Sequence, residues 1–120
     1  MKKILLIITM LLLLCGCESE SKKATIQKID CNKKDELVAE GATLIDVRES
    51  NEYSVYHLDK AINIDYRELN NRKDELPEDK EQKIIVYCKS GTRSDIAANT
   101  LIDMGYKNIY DMGSINNCEN

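Results

Sequence analysis

The sequence predicts an α/β fold in which a central parallel five-stranded sheet is covered by helices on both faces. Short apolar runs, the clearest of them Ile84-Ile85-Val86, alternate with segments whose apolar residues recur at helical spacing. A run that is apolar at every position is typical of a strand buried on both faces of a parallel sheet. Strands that alternate with helices indicate crossover connections, which place neighbouring strands in parallel.

Five strands and four helices are predicted along the chain. The strands cover residues 24–29, 43–47, 61–64, 83–87 and 108–110, and the helices cover 33–40, 51–56, 66–73 and 94–104. Gly41 and Gly105 are placed to end the first and last helices. Asn51 and Ser94 are the predicted N-caps of the second and last helices. The inward stripe of the last helix is predicted to consist of Ile96, Ala97, Thr100, Leu101 and Met104.

The N-terminal residues have the pattern of a bacterial lipoprotein signal peptide. Lys2 and Lys3 precede the uncharged run 4–14, which is too short to span a bilayer but suits the apolar part of a secretory signal. The following Leu14-Cys15-Gly16-Cys17 resembles a lipobox, the bacterial signal for diacylglyceryl transfer to a cysteine. Cys15 is the weaker candidate for lipidation, because the bulky Leu14 would precede it.

We therefore expect a signal peptide over residues 1–16, lipidation of Cys17, a tether over 17–23 and one domain over 24–120. This organisation predicts an extracytoplasmic protein that is anchored by lipid to a bacterial membrane. Loss of Lys2 and Lys3 with the signal peptide changes the net charge from −4 to −6. An acidic balance argues against nucleic acid as a partner. No cofactor is indicated, and a single histidine with scattered cysteines argues against a metal site.

Cysteine usage leaves a question open. After cleavage and lipidation, the remaining thiols would be those of Cys31, Cys88 and Cys118. An odd number of thiols leaves at least one unpaired within a chain and argues against a disulfide-stapled scaffold. The spacing does not decide whether Cys118 stays free, pairs with Cys88 as a redox switch or pairs with Cys31.

The motif that suggests chemistry is Cys88-Lys89-Ser90-Gly91-Thr92-Arg93-Ser94, between the best strand and the best helix. Ligands of open α/β sheets bind beyond the carboxyl ends of the strands. The start of the next helix supplies unpaired amide groups and a partial positive charge, which favour a thiolate there. We therefore expect Cys88 to be a nucleophile.

The other motif residues are expected to form an anion-binding loop. Gly91 permits a positive φ, so the loop can fold back towards the cysteine. Lys89 and Arg93 add positive charge, and the hydroxyl groups of Ser90 and Thr92 can donate hydrogen bonds to an anion.

This motif resembles the active loop of single-domain rhodaneses, the thiosulfate sulfurtransferase homology domains, in which it runs Cys-x-x-Gly-x-Arg-Ser. Asp46-Val47-Arg48 with Glu52-Tyr53, and His57-Leu58 with Ala61-Ile62-Asn63-Ile64, resemble two further segments of that family. The similarity covers about residues 25–117. It implies that the Cys88 thiolate takes the outer sulfur of a donor such as thiosulfate and passes it from a persulfide to a thiol or cyanide.

The resemblance also implies structural roles. Asp46 and Arg48 are expected to hold the ends of neighbouring elements together, with Arg48 pairing with Glu52. His57 is expected to be structural and not a catalytic base, whereas Arg93 is expected to brace the loop and face the anion.

The sequence departs from the family pattern at a few positions. Tyr56 and Lys60 stand where the family usually has glycine, so we expect a local change in the turn there. Gly113-Ser114 stands where the family often has Gly-Gly, and Cys118 takes the place of a later tryptophan.

Three other functions compete with sulfur transfer. One is an extracytoplasmic thiol-redox or persulfide-carrier protein with little turnover, which would use Cys88 and possibly Cys118. Another is a phosphatase or arsenate reductase, which is disfavoured because Arg93 comes one position earlier than in a Cys-x5-Arg loop. The last is a catalytically silent binding module, against which the intact cysteine argues.

Overall fold

The computed structural model describes residues 23–118, so the predicted signal peptide, Cys17 and all but the last residue of the predicted tether lie outside the described residues. The described residues contain a sheet of five strands: β1 (Thr25–Lys28), β2 (Thr43–Asp46), β3 (Ile62–Asn63), β4 (Ile84–Cys88) and β5 (Asn108–Ser114). The strands are parallel and lie in the order β1-β5-β4-β2-β3. The predicted five-stranded parallel sheet is confirmed.

Within residues 23–118, three α-helices and three 3₁₀ helices connect or follow the strands. The α-helices are α1 (Cys31–Ala39), α2 (Ser50–Val55) and α3 (Thr92–Asp103), and the 3₁₀ helices are Tyr66–Asn71, Lys73–Glu75 and Ile115–Cys118. The segment predicted as a helix over 66–73 therefore consists of 3₁₀ turns. Among residues 23–118, no helix has the length and apolar character needed to cross a membrane.

The central strand β4 supplies core residues to both faces of the sheet. Ile84, Val86 and Cys88 belong to the cluster that packs against α3, whereas Ile85 and Tyr87 belong to the cluster that contains Leu37 of α1. All five residues have no exposed surface. Successive side chains of a strand point to opposite faces, so an unbroken apolar run is what a sheet covered on both sides requires.

Helix α3 turns Ala97 and Leu101 towards the core as predicted, and Met104 packs against the same cluster, but Ile96 does not face inward. Its buried residues are Ser94, Ala97, Ala98 and Leu101, which recur at helical spacing. Ile96, predicted to face inward, is 45% exposed. Ser94 and the two alanines are small, so this face lets the helix backbone lie close to the sheet, and the bulky Ile96 falls on the outer side.

Helix α2 begins one residue earlier than predicted. Its N-cap is Glu49, not Asn51, and the backbone N–H of Glu49 donates to the carboxylate of Glu52 at 3.3 Å. A carboxylate in the first turn thus accepts from a terminal amide of the helix, as in a capping box.

Lys60 adopts a backbone conformation that usually requires glycine. It has φ 68°, and it is the one non-glycine residue with positive φ among the described residues. We expect Lys60→Gly to raise the free energy of unfolding by about 0.5–1 kcal/mol, because relief of the left-handed strain exceeds the added entropy of the unfolded chain. Urea unfolding checks this, with Asp59→Gly as the control that should lower stability. A Lys60→Gly protein less stable than wild type would contradict the prediction.

Candidate active site

Cys88 is the last residue of β4, and its sulfur lies at the N-terminus of α3. The Sγ atom accepts hydrogen bonds from the backbone N–H groups of Gly91, at 3.0 Å, and Ser94, at 3.3 Å. Cys88 has no exposed surface. Amide donors and the positive end of a helix both favour negative charge, so the sulfur lies at a position suited to an anionic group.

Gly91 sets the course of the loop. It has φ 106° and is the N-cap of α3, which therefore begins at Thr92. The predicted N-cap, Ser94, instead occupies the third position of the helix, and its hydroxyl donates to the Gly91 carbonyl at 3.0 Å. The left-handed turn at Gly91 starts the helix two residues earlier than predicted and directs the Ser94 amide at the sulfur.

Arg93 pairs with Glu52 of α2. Its Nη1 and Nη2 atoms lie 2.6 and 3.1 Å from the two carboxylate oxygens of Glu52. The predicted pair between Arg48 and Glu52 is not formed. The hydrogen bond from Arg93 lowers the pKa of Glu52, and the same contact raises the pKa of Arg93. This bidentate ion pair joins the active loop to α2.

Asp46 and Arg48 form a buried pair at the end of β2. Arg48 donates from its backbone N–H, Nε and Nη2 to the Asp46 carboxylate at 2.6–3.1 Å. Its Nη2 also donates to the Tyr56 carbonyl at 2.7 Å, just beyond α2. The pair therefore links the end of the strand to the end of the helix that carries Glu52.

His57 lies away from these contacts, on the surface after α2. Its ring stacks on Tyr53 with centroids 3.7 Å apart, and its Nδ1 lies 2.9 Å from the Tyr53 carbonyl oxygen. These contacts are local to the turn.

An open cleft of about 370 Å³ lies beside the active loop. Its lining combines charged, amide and apolar side chains: Arg48, Asn51, Glu52, Val55, Tyr56, Lys89, Ile115 and Asn116. Lys89 has no ion-pair partner among residues 23–118, whereas Arg48 and Glu52 are each paired. Ser90 and Thr92 are exposed, and their hydroxyl groups make no hydrogen bond within the described part of the chain. The positive charge of Lys89 is therefore uncompensated at this cleft.

A disulfide joins Cys31 to Cys118, with their Cα atoms 5.2 Å apart. Of the three arrangements that the spacing left open, the structure has the one that leaves Cys88 as the free cysteine of residues 23–118. Cys31 begins α1 and Cys118 ends the last 3₁₀ helix, so the bond ties the start of α1 to the end of that helix. Their separation of 87 residues gives no local signal that sequence reasoning could have used.

Ser114 is a contact of the active loop that the motif did not indicate. Its hydroxyl donates to the Lys89 carbonyl, one residue beyond Cys88. The sequence indicated this position only through Gly113-Ser114, which stands where the family often has Gly-Gly.

The Arg93–Glu52 pair should make stability depend on pH. A carboxyl whose folded pKa is lowered contributes stability above its unfolded pKa, and that contribution disappears as the pH falls through the folded value. We expect Glu52→Gln to lower the free energy of unfolding at pH 7, and the difference from wild type to shrink below about pH 4. Urea unfolding across this range measures it. Glu36→Gln, at an exposed carboxylate 3.5 Å from Lys33, is the control that should change little at either pH; a constant Glu52→Gln difference would count against the pair.

The sequence profile of the rhodanese-like domain matches residues 22–118. The chain belongs to the rhodanese-like family. It is 35% identical to the thiosulfate sulfurtransferase PspE of Escherichia coli over 71 residues, which cover 59% of this chain and 68% of PspE. It is 34% identical to the putative sulfur carrier protein YrkF of Bacillus subtilis over 92 residues, which cover 77% of this chain and 45% of YrkF.

Solved structures agree with this assignment. A rhodanese with anions from E. coli superposes with a TM-score of 0.62 at 32% identity, covering 66% of this chain and 93% of that one. The resemblance to rhodaneses in sequence is thus confirmed for family and fold. This chain spans 17% to 55% of the length of YrkF and three other curated relatives that it matches.

Proposed function

We propose that this rhodanese-like protein moves a sulfane sulfur from a donor such as thiosulfate to a thiol or cyanide acceptor through a persulfide on Cys88. The observation that carries the proposal is the position of the Cys88 sulfur between two amide donors at the start of α3. The similarity of the chain to PspE supports the choice of thiosulfate as the donor to test.

The first step would load the sulfur. The Cys88 thiolate attacks the outer sulfur of thiosulfate, the sulfur–sulfur bond of the donor breaks, and sulfite leaves with the bonding electron pair. Cys88 then carries one added sulfur. Attack by the thiolate form needs no general base. The uncompensated charge of Lys89 at the neighbouring cleft suits a small anionic donor.

The second step would unload it. Cyanide attacks the outer sulfur of the persulfide, thiocyanate leaves, and the bonding electrons return to Cys88 as its thiolate. An acceptor thiolate would react in the same way and become a persulfide itself. The amides of Gly91 and Ser94 are fixed by the loop and the helix. They would therefore stabilise the Cys88 thiolate both before it takes up the sulfur and after it gives it up, without rearrangement.

A persulfide carrier with little turnover is the second candidate, and the similarity to the putative sulfur carrier YrkF favours it. A dithiol redox role for Cys88 with Cys118 is not supported, because Cys118 is bonded to Cys31. The carrier and the enzyme share the loading step and differ in how fast the sulfur leaves.

One experiment separates these outcomes. The full-length protein is incubated with thiosulfate, and the Cys88 peptide is examined by mass spectrometry for an added mass of about 32 Da, one sulfur atom. Cyanide is then added and thiocyanate is followed. An adduct that is followed by sustained thiocyanate formation supports the sulfurtransferase. An adduct that persists after repeated additions of cyanide supports the carrier. Neither adduct nor thiocyanate, with Cys88 reduced and the domain folded, would contradict both.

We further propose that the protein is held outside the cytoplasm by a lipid on Cys17. The N-terminal sequence supports this, and so does the Cys31–Cys118 disulfide, since disulfides persist mainly in oxidising compartments. Labelling of cells with radioactive palmitate should mark the protein, and Cys17→Ser should abolish the label while Cys15→Ser retains it. Retention of residues 1–16 on an unlabelled protein would contradict the anchor.

A further inference from the structure

The strand register brings Ser114 beside Cys88. Val86 of β4 lies opposite Asp111 of β5, but the next residue, Tyr87, lies opposite Gly113, so β5 has one extra residue at this point. This bulge moves the register by one position, and Ser114 instead of Gly113 becomes the neighbour of Cys88. Bulges commonly direct side chains at functional sites.

The Ser114 hydroxyl holds the first peptide unit of the active loop. It donates to the carbonyl oxygen of Lys89 at 2.5 Å and accepts from the backbone N–H of Asn116 at 3.0 Å. With one donor and one acceptor contact, its orientation is fixed. Because Lys89 follows Cys88 directly, the contact restrains the loop next to a sulfur that has no exposed surface.

The segment after Ser114 is anchored twice. Ile115 is buried in the same apolar cluster as Leu37 of α1. Three residues later, Cys118 is bonded to Cys31, the first residue of α1. Ser114 thus acts on the loop from a segment that a covalent bond attaches to another helix.

We propose that Ser114 is a positioning residue that holds the active loop closed over Cys88, and that the Cys31–Cys118 disulfide keeps Ser114 in place. The inference deepens the proposed function, since it assigns control of access to the same sulfur. Reduction of the disulfide by an external dithiol, which becomes a disulfide itself while Cys31 and Cys118 become thiols, would release the segment 115–118, loosen the contact to Lys89 and expose Cys88.

The first test is the rate at which iodoacetamide alkylates Cys88 in the full-length protein, with the Cys88 peptide followed by mass spectrometry. Ser114→Ala should accelerate alkylation about fivefold, which is the factor expected for loss of one hydrogen bond. The same variant should lower kcat/KM for thiosulfate by a similar factor, because the amide donors are less well positioned. Ser114→Thr keeps the hydroxyl group and should restore both values towards wild type.

The second test concerns the disulfide. The Cys31→Ser/Cys118→Ser variant should also accelerate alkylation of Cys88, and addition of Ser114→Ala to it should have little further effect. Such non-additivity is the sign that the disulfide acts through Ser114. Multiplied effects of the two changes would show that they act independently and would overturn the link.

Alkylation does not require turnover, so this inference and the proposed function fail separately. If wild-type protein forms no persulfide, the alkylation rates still decide whether Ser114 controls access. An unchanged alkylation rate in folded Ser114→Ala protein would overturn the positioning role even if sulfur transfer is normal. If Ser114→Ala does not fold, the other two variants decide. A wild-type alkylation rate in Ser114→Thr together with faster alkylation in Cys31→Ser/Cys118→Ser would support the inference. Wild-type alkylation rates in both variants would overturn it.

Discussion

Cys88→Ser should abolish thiosulfate-dependent thiocyanate formation, with a loss of about a thousandfold or more, and should leave the Cys88 position without a sulfur adduct. Serine is close to cysteine in size, and its oxygen can accept from the same two amides that now donate to Sγ. The fold should therefore survive the change. A hydroxyl group is not ionised at neutral pH, however, and cannot form a persulfide. Thiocyanate assays and mass spectrometry measure the loss, and near-ultraviolet circular dichroism confirms the folded state.

Val86→Ala is the matched control for a change in the same buried strand. Val86 lies two residues before Cys88, points to the same face of β4 and has no exposed surface. Its truncation should lower the free energy of unfolding by about 2 kcal/mol and leave sulfur transfer largely intact below the melting temperature. The two variants should thus show opposite patterns of activity and stability. Sulfur transfer that persisted in Cys88→Ser would exclude Cys88 as the nucleophile.

The sheet and the motif were predictable because both are encoded locally. A run such as Ile84-Ile85-Val86 is apolar at every position, and that pattern suffices to place it in the middle of a covered sheet. Gly91 likewise indicates a left-handed turn by its own chemistry, and it adopts φ 106°. Helix boundaries were less predictable. The start of α3 depends on the left-handed conformation of Gly91 and on the hydrogen bond from the Ser94 N–H to the Cys88 sulfur.

The partners of charged and thiol groups were not predictable, since they depend on which elements meet in space. Glu52 is four residues from Arg48 and 41 from Arg93 in the chain, yet it pairs with Arg93. Arg48 instead forms its ion pair with Asp46, two residues away. The pairing of Cys118 with Cys31 instead of Cys88 has the same origin, because it requires the end of the last 3₁₀ helix to lie beside the start of α1.

Asp46→Ala should destabilise the fold more than any other substitution considered, by about 3–5 kcal/mol. The side chains of Asp46 and Arg48 are 0% and 8% exposed, so both charges lie largely out of water. Removal of the carboxylate leaves the Arg48 guanidinium buried with only the Tyr56 carbonyl as an acceptor. The backbone N–H of Arg48 loses its acceptor as well. Urea unfolding at neutral pH should show the loss as a lower midpoint.

The double variant Asp46→Ala/Arg48→Met decides whether the loss comes from the stranded charge. Replacement of both members of a buried pair by apolar groups is often neutral, so the double variant should recover much of the stability lost in Asp46→Ala. Glu75→Ala, which removes an exposed partner of Arg72, is the control that should change stability little. If the double variant were as unstable as Asp46→Ala, the lost hydrogen bond to the Arg48 backbone, and not the unpaired guanidinium, would be the main cause. That result would make Asp46 a backbone acceptor at the end of β2 first and an ion-pair partner second.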